Sequence, residues 1–262
     1  MLVFFQLLLY HSLYPMSELE LQVEEPEIDE TAVKTDATVP DPELEQMFKA
    51  GLHFGYSRTR RHPKMEPYLF GMRNNVEIFD LGKVRAKLNE AILFIKELKA
   101  NNKTMILVGT KPHIQDLIEK AGRETELPYA SRRWIGGLLT NFAIIRKRID
   151  HFESLKQEMA SGVLEGKYTK KEINDIDKDL VKLEINFGGV ASVKKLPDAL
   201  FIVDPKEEST ALREAVRLNI PVIALASSDV DPESIQYVIP GNDSARASVS
   251  YILERVVETW KN

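Results

Sequence analysis

Five short apolar runs, Val76–Phe79, Met105–Val108, Ala199–Val203, Val222–Ala226 and Tyr237–Ile239, recur along the chain with longer polar-apolar segments between and after them. Bounded by Gly, Pro, Asp or Asn, such runs read as buried strands. The segments Lys83–Ala100, Pro112–Thr125, Lys206–Leu218 and Ala245–Trp260 read as helices. The last is capped by Asp243 or Ser244, with Ala247, Tyr251, Val256 and Trp260 near one face. Strand-helix alternation of this kind makes neighbouring strands parallel, since a crossover helix carries the chain back to the same end of the sheet. The expected class is therefore α/β: a mainly parallel sheet, right-handed crossovers and helices on both faces.

One stretch departs from the alternation. Phe142, Ile145, Ile149, Phe152, Leu155 and Met159 follow three- and four-residue steps, and Ile173, Ile176, Leu180, Leu183 and Phe187 repeat them in 3-4-3-4 order. The intervening ASGVLEGKY supplies a turn, and Thr169 with Glu172 has capping-box spacing for the second helix. The spacing predicts an antiparallel helical hairpin over residues 141–187, inserted into an α/β domain of residues 41–140 and 188–262.

Charge is unevenly spread. Residues 1–45 hold eleven acids and the single base Lys34, a net of −10, so the remaining 34 Lys and Arg face 29 Asp and Glu, and residues 46–262 carry +5. The overall acidity thus hides a basic body, which suits a polyanionic partner. Residues 17–40 are acidic, Pro-punctuated and without hydrophobic period, and are expected to form a disordered arm within a segment 1–40. Order is expected from Asp41-Pro42, an N-cap and N1 pair, through Met47 and Phe48 to Gly51. The apolar opening of residues 1–15 is shorter than the ~20 residues of a membrane span. No Lys or Arg precedes Lys34, so a secretory signal lacks its basic region. The expectation is an over-extended start, with translation beginning at Met16. No cysteine is present, which excludes disulfides, thiolate metal sites and cysteine nucleophiles and fits a cytoplasmic protein.

Catalytic patterns are weak. Gly109-Thr110-Lys111 ends a strand but is neither a Walker loop nor G-x-G-x-x-G, and Pro112 removes a backbone donor from the helix start. Lys111 reads as a surface base or RNA contact. Asp204 reads as a turn or cap residue beside Pro205, and Asp229 and Asp231 as turn residues before Pro232. His11, His53, His62, His113 and His151 have no paired-ligand spacing, and no Ser lies in G-x-S-x-G. No enzyme activity, cofactor, metal or small-molecule substrate is expected. The rival from another class is a nucleotide- or phosphate-metabolite-binding protein using Lys111, Asp204 and Asn242 near the strand ends. A third reading is a regulatory interaction protein acting through the hairpin and arm.

The basic segments carry more. His53-Phe54-Gly55-Tyr56-Ser57-Arg58-Thr59-Arg60-Arg61-His62-Pro63-Lys64 places four full charges in seven residues beside two aromatics, and Gly55 and Pro63 shape it as a loop. Guanidinium groups pair bidentately with phosphate and stack on bases. Arg132-Arg133-Trp134-Ile135-Gly136-Gly137 adds a second group, in which Trp134 is expected in the core, and Arg146, Lys147 and Arg148 add charge at the hairpin root.

These segments also resemble a known family. AGLHFGY, RTRRHPKMEPYLFGMRNNVEIFDL, LVGTK, SRRWIGGLLTNF, LPDALFIVDP, NIPVIAL and YVIPGNDSA follow one another in the order of the bacterial-type ribosomal protein S-two family, from about Leu44 to Trp260. The resemblance implies a flavodoxin-like three-layer domain with an inserted coiled-coil hairpin. It also implies a structural, non-catalytic role in the small ribosomal subunit between head and body. Small-subunit (16S) rRNA and neighbouring proteins, including ribosomal protein S-one, become the expected partners, with no membrane. Carried over by motif, the RNA-facing residues are His53, Arg58, Arg60, Arg61, Lys64 and Arg73, with Arg132, Arg133 and Asn141. Two departures stand out. The family's Trp-Asn-Pro-Lys-Met is here Arg61-His62-Pro63-Lys64-Met65, and its Asp-Thr-Asn is here within Ser227-Ser228-Asp229-Val230.

Overall fold

The computed structural model describes residues 41–162, 164 and 168–262. The expected acidic arm, the start at Met16 and part of the ASGVLEGKY turn lie outside the described residues. In chain order the elements are α1 (Pro42–Lys49), β1 (Phe54–Ser57), β2 (Leu69–Arg73), β3 (Val76–Phe79), α2 (Leu81–Ala100), β4 (Met105–Val108), α3 (Gln115–Thr125), β5 (Tyr129–Ala130), α4 (Phe142–Ala160), α5 (Lys170–Phe187), β6 (Ala199–Val203), α6 (Ser209–Arg217), β7 (Val222–Ala226), β8 (Tyr237–Pro240) and α7 (Arg246–Lys261).

Helix starts follow their caps. Asp41 accepts from the Glu43 N–H at 3.0 Å, with Pro42 at the position where a missing donor costs nothing. Asp80 accepts from the N–H groups of Gly82 and Lys83, starting α2 two residues earlier than the apolar period indicated. The expected cap of α7 is corrected. The N-cap position is Ala245, without a side-chain capping bond; Asn242 accepts from the Ser244 and Ala245 N–H groups in the turn before it, and Asp243 is fully buried and turned to other partners. The buried face of α7 is also shifted from the expected one, to Val249, Ile252, Leu253, Val256 and Val257.

Strands β5-β4-β6-β7-β8 form one parallel sheet in that order. Strands β4, β6 and β7 are buried along their whole length, which is why they read as continuous apolar runs. The pleat divides them between two cores. Met105, Leu107, Phe201, Val203, Ile223 and Leu225 pack with α2, α3 and α7. Ile106, Val108, Leu200, Ile202, Val222 and Ala224 pack with α6, the 134–139 loop and the root of α4 and α5. This is the flavodoxin-like three-layer order, and its topological switch point falls between β4 and β6. Among the described residues, no helix is long and apolar enough to cross a membrane.

Val76–Phe79 does not join the parallel sheet. As β3 it lies between β1 and β2 in a separate antiparallel sheet. The physical sign is its one-sided burial, with Glu77 and Phe79 inside and Val76 and Ile78 half-buried, unlike the fully buried strands. Strands β1 and β2 escaped the sequence reading because Gly, Arg and exposed aromatics interrupt them. A two-residue turn at Asn74-Asn75, with φ of +50° and +62°, joins β2 to β3; positive φ at both central residues marks a type I′ hairpin.

Helices α4 and α5 pack against each other, with the capping box formed in both directions between Thr169 and Glu172. Ile145, Ile149, Phe152, Leu180 and Phe187 are buried, and Leu155, Met159, Ile176 and Leu183 are only partly covered. Lys156 reaches Glu184 across the pair at 2.7 Å.

Candidate nucleic-acid interface

The basic segment 53–64 is rigid at its root because three separate elements hold it. Ser228, fully buried in the loop after β7, accepts from the Tyr56 N–H through its Oγ at 2.9 Å and from the His62 N–H through its carbonyl at 2.7 Å. Gly55 permits that approach. A Cβ there would stand 3.0 Å from Ser228 Oγ and 3.3 Å from both the Glu77 carbonyl and the Phe79 ring. The Tyr56 hydroxyl lies 2.7 Å from Ser244 Oγ and donates to Asp243 at 3.4 Å, tying β1 to the carboxyl end of the parallel sheet.

At that end, where doubly wound proteins place ligands, the chain's own side chains meet. Lys111 lies 2.6 Å from Asp204 and 3.4 Å from Asp243, with its side chain 16% exposed. Burial pulls the Lys111 ammonium down, and the charges of Asp243 and Asp204 outweigh it and leave it above its ordinary value. Burial, with the charge of Asp204, pushes the Asp243 carboxyl up to about 6. Asp204, at a left-handed φ of +59°, also accepts from the N–H groups of Lys206 and Glu207. Glu208 accepts from both the N–H and hydroxyl of Thr110. The expected surface position of Lys111 is thus corrected: its charge is directed inward. Of the rival phosphate-binding trio, Asp204 shapes a turn and Asn242 holds the turn before α7 while donating to the Gly51 carbonyl. Among the described residues, no cluster of three or more carboxylate or imidazole side chains is arranged to hold a metal.

The basic side chains divide by what surrounds them. His53 is 8% exposed, its ring stacked on Phe48 at 4.4 Å and tilted against Phe54 at 4.0 Å, and burial lowers its pKa. Arg61 faces the buried Glu77 at 3.6 Å and Glu66 at 3.7 Å. Lys64 bonds Asp231 at 3.3 Å and pairs with Glu233. Arg58, Arg60 and Arg73 are exposed and have no carboxylate within ion-pair distance among the described residues. Arg60 lies over the Tyr56 ring, 5.6 Å from its centroid. His62 serves the loop through its backbone, with Nε2 4.0 Å from Asp231.

The second basic group follows β5, also at the carboxyl end of the sheet. One residue that sequence reasoning missed shapes it. Glu214, on α6 and 8% exposed, accepts from Trp134 Nε1 at 3.2 Å, Gly137 N–H at 2.7 Å, Leu139 N–H at 3.0 Å, and Thr140 N–H and hydroxyl at 3.1 and 3.2 Å. Burial pushes its carboxyl up, and the donors at Gly137, Thr140, Trp134 and Leu139 together outweigh it and hold it below the usual range. In the sequence, only an acid in the middle of an otherwise helical pattern signalled this role. Trp134 is in the core, as expected. Arg132 bonds Gln115 at 2.9 Å and Glu119 at 3.2 Å. Arg133 is exposed beside a recess lined by Thr110, Trp134, Glu207 and Glu208. Asn141 is the exposed residue before α4 and makes no capping bond through its side chain. Lys147 and Arg148 are exposed, but Arg146 turns inward, donating to the Ala191 and Val193 carbonyls and pairing with Asp150 and Glu153.

Fold and site together define a flavodoxin-like α/β protein in which Lys111 is paired with Asp204 and Asp243 at the carboxyl end of the sheet and whose cationic groups stand on anchored surface loops. A family model described as Ribosomal protein S2 matches residues 47–262. The chain belongs to that family, which consists of structural proteins and not enzymes. It is 42% identical over 215 residues to a small ribosomal subunit protein uS2 from Dictyoglomus thermophilum, covering 82% of this chain and 87% of the relative. A protein of the same name from Geotalea uraniireducens is 40% identical over 215 residues, covering 82% and 84%.

Proposed function

We propose that this chain is a ribosome-bound structural constituent of the small subunit in the cytoplasm, holding small-subunit rRNA through its basic loops at the head-body junction. Its α/β domain comprises residues 41–140 and 188–262, and residues 141–187 form a coiled-coil hairpin. The observation that carries the reading is the trio Arg58, Arg60 and Arg73, exposed without carboxylate partners on a frame fixed by Ser228, Tyr56 and Gly55. Arg133, Arg132 and Asn141 extend the contact from the second loop. Arg61 and Lys64 reach phosphate only by giving up acidic partners, and His53 acts by holding shape.

Binding of the full chain to small-subunit rRNA, measured against salt, tests this. Each phosphate contact removed lowers the log-log slope by about one unit. Arg58→Ala, Arg60→Ala and Arg73→Ala are each expected to do so, and Lys64→Ala to do so less. A slope unchanged in the triple variant refutes the reading. The family resemblance further supports a part in recruiting ribosomal protein S-one; subunits depleted of this chain are expected to sediment with less of it, and equal occupancy refutes that part.

A further inference from the structure

The most exposed large apolar side chain among the described residues is Phe70, 81% exposed on β2, and Met72 beside it is 51% exposed. The backbone aims Phe70 outward. Leu69 pairs with Phe79 and Gly71 with Ile78, so the register shifts between them and Phe70 is the extra residue of a bulge. Bulges re-aim a side chain and bend the strand. Next to it Gly71 has no heavy atom within 4 Å of where a Cβ would stand, so the surface beside the ring is open. Among the described residues, the Phe70 ring is not part of the packed core.

Its surroundings are cationic. Arg73 follows three residues on in the same strand. The Arg58 N–H donates to the Asn75 carbonyl at 3.3 Å, which ties the backbone of a second exposed arginine to the tip of the β2-β3 hairpin. An exposed aromatic ring flanked by cations without acidic partners is the arrangement that binds single-stranded nucleic acid: the ring takes a base face and the cations take the phosphates beside it. Among the described residues, strand β2 is also a sheet edge, the other common use of an exposed apolar strand. The arginine at its end and the bulge within it oppose addition of a further strand.

We infer that Phe70 is a stacking platform for an unpaired base of the small-subunit rRNA, with Arg73 and Arg58 on the adjoining phosphates. The inference rests on the rRNA reading above and adds to it a contact that is not electrostatic. Its test is binding of the full chain to small-subunit rRNA at fixed salt and across a salt series, for the wild type, Phe70→Ala, Phe70→Leu and Phe70→Trp. Loss of one base-aromatic stack corresponds to about a fivefold to a hundredfold weakening. Phe70→Ala and Phe70→Leu are expected to weaken binding by that factor with the salt slope unchanged, and Phe70→Trp to retain it. Thermal unfolding is expected to be the same for all four proteins, because the ring is outside the core.

If the wild type does not bind rRNA, the parent reading fails and this one with it. If the wild type binds, Arg58→Ala lowers the slope, and Phe70→Ala and Phe70→Leu bind as tightly as the wild type, the stacking platform alone is overturned. Equal loss in Phe70→Leu and Phe70→Trp overturns it too, since stacking needs an aromatic face. Intact rRNA binding by Phe70→Ala together with loss of a neighbouring protein from assembled subunits makes β2 a protein dock, and overturns it likewise.

Discussion

Replacing Glu214 by Gln keeps the shape of the side chain and changes only what it can accept. The carboxylate takes five hydrogen bonds, with Trp134 and Gly137 on Oε1 and Leu139 and both donors of Thr140 on Oε2. An amide can keep its oxygen toward Trp134 and Gly137, but its NH2 then faces the backbone N–H groups of Leu139 and Thr140. Two donors lose their acceptor at about 1–3 kcal/mol each when buried, and the bonds that survive become neutral ones. Leu139 is buried and Thr140 is exposed, so water can relieve only the second, which places the expected loss at about 2–4 kcal/mol. With a urea m-value of about 2–3 kcal/mol per molar, the midpoint moves down by roughly 1–1.5 M. The measurement is urea unfolding at pH 7, with hydrogen exchange at the Leu139 and Thr140 amides to place the effect in the loop. Because the folded pKa of Glu214 is depressed, its contribution is complete above the unfolded value of about 4.3 and is lost as pH falls through the folded one. The gap between wild type and variant is therefore expected to hold at pH 5 and to close only in stronger acid. A midpoint shift under about 0.2 M, with unchanged exchange at both amides, refutes the claim that this carboxylate shapes the second basic loop.

Gly55→Ala is expected to cost about 1–3 kcal/mol by overpacking against Ser228, Glu77 and Phe79, and to weaken rRNA binding by displacing the loop; unchanged thermal stability and affinity would show that the contact relaxes freely. For Asp243, at about 6 against about 3.9 when unfolded, the stabilising contribution is full below the unfolded value and disappears as pH rises through the folded one. Asp243→Asn does not titrate, so its stability relative to wild type is expected to rise between pH 5 and 7 in thermal scans, and a constant difference across that range refutes the coupling.

The parallel sheet was legible because β4, β6 and β7 are buried on both faces, and burial of that kind leaves uninterrupted apolar runs. The helices α4 and α5 were legible from their three- and four-residue apolar steps, which packing along one side of each sets. The antiparallel sheet was not. Its strands owe their pairing to a turn of two asparagines and to Gly55 and Ser228, which lie far apart in sequence and carry no period. Charge counting located the basic segments, yet it could not separate Arg58, open to a partner, from Arg61, which faces Glu77. Whether a cation is available depends on tertiary neighbours such as Asp231 and Glu233, and those neighbours lie more than 160 positions from Lys64. Glu214 shows the same limit from the other side, since five of its donors come from a loop more than 70 residues earlier.

The bonds that fix Tyr56 reach forward by 172 residues to Ser228 and by 188 to Ser244. A chain emerging during synthesis therefore displays its cationic segment long before it owns the groups that give that segment a shape. Fragments ending before Ser228 carry the charge for non-specific attraction to RNA but lack the bonds that fix β1. The cationic segment can take its folded shape only once the loops that hold Ser228 and Ser244 have been made.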